Sequence, residues 1–168
     1  EHLKGLGYSV HTVPIRWKRR VMSDYTEEFL TFFQQHRSDD NHILGFSFGA
    51  MIAFLTATET KPSRLYLCSL SPYFQEDASS WQPAWLRAIG KRRASDFERY
   101  SARATAVSIA CPTTVLCGEA EAEKFPTLLH RCKQAAKEIR GATLVMSKGA
   151  PHQLNHPGYK EALKHVIT

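Results

Sequence analysis

The stretch Gly45-Phe46-Ser47-Phe48-Gly49 decides the reading of this chain. It has the form G-x-S-x-G. The apolar run His42-Ile43-Leu44 precedes it, and the helix-forming run Ala50-Met51-Ile52-Ala53-Phe54-Leu55 follows. Strand, sharp turn with a serine, then helix is the arrangement of a nucleophile elbow. The serine sits in a strained backbone, so side chains two residues on either side are expected to crowd the turn. The helix that starts there points backbone N–H groups at whatever the serine attacks. The competing reading is a plain Gly-Ser loop between two ordinary elements.

Working outward, strands and helices alternate. The spacing predicts strands at 8–15, 42–46, 64–70, 112–117 and 142–146. It predicts helices at 2–6, 24–37, 48–59, 125–139 and 157–166. Asp24 reads as the N-cap of the second helix, with Glu27 three residues on. Residues 72–105 break the pattern. They are rich in Trp, Arg and Ser and read as two short helices, one near 80–90 and one starting at a capping box, Ser95-Asp96-Phe97-Glu98. Alternation of this kind predicts an α/β fold, a mostly parallel sheet with helices on both faces. The site of such a sheet lies beyond the C-terminal ends of its strands. Ser47 follows one strand, Ser71-Pro72-Tyr73 another, Gly118-Glu119-Ala120-Glu121 a third and Gly149-Ala150-Pro151-His152 a fourth. A serine, a carboxylate and a histidine therefore stand at strand ends.

The bulk numbers bound the rest. A chain of 168 residues fits one domain, 1–168, with a lid insertion at about 72–105. It is 43% hydrophobic and 23% charged, and no apolar run approaches membrane-spanning length. Cys68, Cys111, Cys117 and Cys132 lack C-x-x-C spacing. They read as reduced, mostly buried thiols, which favours the cytoplasm. The histidines and cysteines lack ligand spacing, so no metal and no cofactor is expected. The net charge of +6 is concentrated in Arg16-Trp17-Lys18-Arg19-Arg20 and Lys91-Arg92-Arg93. No nucleic-acid-binding module is recognisable around them. Their default reading is a pair of solvated faces, and the alternative is a rim over the site that would favour an anionic substrate.

These motifs resemble the α/β-hydrolase superfamily over about residues 1–168, beginning partway into the usual fold. The elbow carries the match, together with Glu121 three residues after Gly118 and His152 in a Gly-x-x-His setting. The resemblance implies Ser47 as nucleophile, His152 as general base, Glu121 as the acid that orients it, and the Phe48 N–H as one oxyanion donor. Glu119 and Asp77 are alternatives for the acid, and His156 is a second histidine nearby. The family's second oxyanion donor follows a strand that lies between the 8–15 strand and the elbow strand. No candidate for that strand exists in residues 1–7, and an N-terminal unit of about 30 residues is expected upstream. Trp17, Tyr73, Trp81 and Trp85 are candidates for lining a substrate pocket, or for packing the lid. The implied function is a serine hydrolase cleaving a carboxylic ester or thioester of a small-molecule acyl substrate through an acyl-enzyme. The alternative is an inactive binding protein on the same fold. Thioesterase, lactonase, peptidase and acyltransferase are not separated, and the oligomeric state is open.

Overall fold

The computed structural model describes residues 2–167. Four strands form one parallel sheet in the order β1 (His42–Phe46), β2 (Arg64–Cys68), β3 (Thr113–Gly118), β4 (Thr143–Ser147). The register sets Phe46 beside Cys68 and Gly118 beside Ser147, so the strands end together. Helices α1 (His2–Gly5) and α2 (Met22–His36) precede the sheet, and α3 (Phe48–Thr60) joins β1 to β2. A 3₁₀ turn (Gln75–Ser80), α4 (Pro83–Ile89), α5 (Lys91–Phe97) and α6 (Ala102–Ser108) fill the β2–β3 connection. Then come α7 (Glu119–Lys124), α8 (Pro126–Glu138) and, after β4, α9 (Pro157–Val166).

Strand alternation divides the core between two faces. Ile43, Leu65, Leu67, Val115 and Cys117 pack with residues of α2, α3, α6 and α8. Cys68 and Leu116 point the other way, against Ala150 and Tyr159. Helix α3 is apolar nearly all round and sits deepest, with Ala50, Met51, Ile52, Ala53, Phe54 and Ala57 buried.

Four expectations need correction. Residues 8–15 join no ladder. Their side chains, from Tyr8 to Val13 and Ile15, stand across a groove of about 600 Å³ from β1. A strand is defined by its partner, and the nearest candidate lies beyond that groove. It occupies the slot where the family resemblance expects another strand. Helix α2 starts at Met22 with Val21 at its N-cap position, three residues before the Asp24 cap expected, and the Asp24 carboxylate reaches back to accept from the Val21 N–H at 2.9 Å. Ser95 lies inside α5 and caps nothing; Asp96 accepts from the Ser23 N–H and hydroxyl, both at 2.9 Å, tying α5 to α2. Residues 72–105, expected to hold two short helices, enter three, the last running to Ser108.

Candidate active site

The site begins with backbone geometry. Ser47 has φ 57° and ψ −120°, a region that non-glycine residues avoid. Two interactions hold it there: its N–H donates to the Cys68 carbonyl at 3.0 Å, and its carbonyl accepts from Ala50 and Met51 in the first turn of α3. The turn is tight on one side only. A Cβ at Gly45 would lie 2.2 Å from the Gly49 carbonyl oxygen, whereas a Cβ at Gly49 would meet nothing within 4 Å. The steric requirement therefore falls on the first glycine of the motif, not on both. Phe48 is the first residue of α3, so its N–H has no intrahelical acceptor.

The carboxylate arrives from β3. A Cβ at Gly118 would lie 2.2 Å from the Ala150 carbonyl oxygen, so glycine is needed where the β3 and β4 exits pass. That carbonyl accepts from the Glu121 N–H at 3.1 Å, and the Glu119 carboxylate accepts from the Gly149 N–H at 2.9 Å. These bonds fix the acid loop against the histidine loop. Glu121 is 1% exposed. Its Oε1 is paired with Nδ1 of His152, and Nε2 of His152 stands 3.0 Å from Ser47 Oγ. Burial works to raise the Glu121 carboxyl, but hydrogen bonds from His152, Tyr159, the Gly118 N–H and Ser69 outweigh it and hold the group below its ordinary value. The His152 side chain is 38% exposed, its ring lying over Phe46 with centroids 4.7 Å apart. One edge of the imidazole thus faces a buried charge and the other faces the serine and solvent.

The structure brings Ser47, Glu121 and His152 together and sends the alternatives elsewhere. Asp77 is held by Arg131, with the shortest contact at 2.7 Å, and accepts from the Phe74 N–H. Glu119 braces Gly149, and His156 caps α9 by accepting from the Gly158 N–H at 3.1 Å. The aromatic candidates form one cluster beside Phe48. Tyr73 stacks on Trp85 with centroids 4.0 Å apart, and Trp81 lies 5.7 Å from Trp85. Trp17 lies 6.4 Å from Phe48. Trp81 donates to the Pro72 carbonyl, so part of this cluster packs the β2–β3 connection onto itself. A cavity of about 160 Å³ opens between Trp17, Phe48, Phe97 and Arg93. The two basic runs meet there: Arg93 donates to the carbonyls of Arg20 and Trp17, each at 3.0 Å. No group of three or more His, Cys, Asp or Glu side chains among the described residues could hold a metal.

Three hydroxyls near the site have no role assigned from the sequence. Ser71 Oγ lies 3.3 Å from Ser47 Oγ, and Ser69 and Tyr159 both reach Glu121. Ser69 and Ser71 stand at a strand end, which is a usable signal. Tyr159 sits in an amphipathic helix where its sequence reads only as core.

No protein-family model matches the sequence, and no curated relative matches it. Solved structures do. Mouse alpha/beta hydrolase domain-containing protein 10 superposes with a TM-score of 0.75 at 14% identity, over 99% of this chain and 78% of that one. A bromoperoxidase from Bacillus anthracis gives 0.69 at 13% identity, over 96% and 77%. Est1E from Butyrivibrio proteoclasticus gives 0.66 at 15% identity, over 88% and 70%. Together with the parallel sheet and the strained serine turn, these likenesses establish that the chain has the α/β-hydrolase fold.

Proposed function

We propose that this chain is a serine hydrolase that cleaves a carboxylic ester or thioester. The observation that carries the reading is the continuous line from Glu121 through both nitrogens of His152 to Ser47 Oγ. A serine hydroxyl is a weak nucleophile at neutral pH and needs an adjacent base. In the proposed reaction Ser47 Oγ bonds to the acyl carbon as its proton passes to His152 Nε2. The Phe48 N–H, at the positive end of α3, stabilises the oxyanion. As the tetrahedral species collapses, the bond to the leaving oxygen or sulfur breaks, and His152 returns the proton to it. Water then repeats the sequence on the acyl-serine, giving the acid and free enzyme. Glu121 stays ionised and balances the imidazolium.

Esterases among the structural neighbours support this reaction class. The basic residues beside the 160 Å³ cavity favour an anionic substrate. A panel of p-nitrophenyl esters of rising chain length, neutral and carboxylated, tests both points. Turnover abolished by Ser47→Ala supports the reaction. No turnover, and no fluorophosphonate adduct on the intact protein, would assign the chain to a binding role instead. Lys91→Glu with Arg92→Glu is expected to slow the carboxylated esters more than the neutral ones.

A further inference from the structure

We infer that Tyr159 and Ser69 are positioning residues that saturate one oxygen of Glu121 and so fix which nitrogen of His152 carries the proton; this rests on the hydrolase reading above. Glu121 Oε2 accepts from Tyr159 Oη at 2.7 Å, Ser69 Oγ at 2.8 Å and the Gly118 N–H at 2.9 Å. The two hydroxyls also touch each other. Two hydroxyl protons serve these three oxygen–oxygen contacts, while the Gly118 N–H is committed to Oε2. Oε2 is therefore fully engaged, and Oε1 is the acceptor left for the His152 Nδ1–H.

The arrangement is built, not incidental. Tyr159 is wholly buried on α9, on the face of the sheet opposite α3. Burial pushes its phenol well up, so it remains a donor toward a carboxylate. Ser69 has φ 53°, a left-handed backbone that a serine adopts only under constraint. Its N–H is anchored to the Leu116 carbonyl at 2.8 Å. Other titratable neighbours of Glu121 are the Cys68 thiol on β2 and the Cys132 thiol on α8, both buried and both pushed up. Neither thiol supplies a competing charge at neutral pH. A carboxylate held at Oε2 cannot rotate, and its Oε1 keeps the proton on Nδ1. Nε2 is then left bare toward Ser47 Oγ, as a base must be.

Two variants test this. Tyr159→Phe removes one hydroxyl with little change in volume. Ser69→Gly removes the other, and glycine accepts the positive φ without strain. The readouts are the nitrogen-15 NMR signals of the His152 ring at neutral pH, and kcat and KM on the best p-nitrophenyl ester. Wild type is expected to show a single Nδ1–H tautomer. Each variant is expected to show a mixture, with kcat about 10–100-fold lower and KM unchanged. Loss of folding stability in either variant, with the His152 signals and kcat unmoved, would reduce both residues to packing and overturn the inference. Unmoved ring signals overturn it whatever the activity does. Mixed tautomers in a protein whose turnover survives Ser47→Ala would instead sink the hydrolase reading and leave the positioning role standing.

Discussion

The pair Asp77–Arg131 offers a sharp test of how the acid role is divided. Asp77 is 7% exposed and Arg131 4%, and the guanidinium grips the carboxylate through Nε and Nη2 at 2.7–3.2 Å. The guanidinium also lies 5.5 Å from the centre of the Phe74 ring. Asp77→Asn keeps an oxygen to accept from the Phe74 N–H but removes the charge. That leaves Arg131 buried without its counter-ion, at a cost of about 3–5 kcal/mol. For a chain of this size the melting temperature should fall by roughly 6–20 °C. Asp77→Asn with Arg131→Met removes both charges and should recover most of the loss. Urea midpoints and thermal melts measure the stability, and fluorophosphonate labelling at 15 °C reports the site in the folded fraction. Labelling per folded molecule should match wild type in both variants. A folded Asp77→Asn protein that no longer labels would mean that Asp77, not Glu121, supplies the charge behind His152. An unchanged melt would refute the energetics.

Gly45→Ala places a methyl 2.2 Å from the Gly49 carbonyl oxygen, so the elbow must open. It should cost at least about 1–3 kcal/mol and abolish labelling, whereas Gly49→Ala, which meets nothing, should keep both within a small factor. Equal effects from the two would contradict the one-sided steric argument. The lowered Glu121 carboxyl ties stability to pH. A depressed carboxyl contributes in full above its unfolded-state value and loses that contribution as pH falls through the folded value. Wild type should therefore lose more stability than Glu121→Gln as pH drops from 6 to 3 by urea titration; parallel curves would remove Glu121 as the source.

What the sequence revealed, and what it hid, follows from the range of the interactions. The elbow was legible because its geometry is local: Gly45, Ser47 and α3 fall within sixteen residues of one another. That Glu121 and His152 approach Ser47 was readable because a parallel sheet collects its strand ends; no local pattern separates Glu121 from Glu119 and Asp77, which bond instead to Gly149 and Arg131. The 8–15 run forms no strand because its β-branched residues report a preference, and a ladder needs a partner. Helix α7 is not legible because Glu119-Ala120-Glu121-Ala122-Glu123-Lys124 reads as a solvated loop, yet Glu121 and Ala122 are buried. The Ser69 and Tyr159 bonds span 52 and 38 residues to Glu121, and no local pattern encodes them.

The measurement that bears most directly on the account is the site and rate of fluorophosphonate labelling, read by peptide mass spectrometry. One adduct on Ser47 is expected. Replacing His152 with alanine should slow its formation by several orders of magnitude, the scale seen when one member of such a trio is lost. An adduct on another residue, or a rate indifferent to the imidazole, would contradict the account.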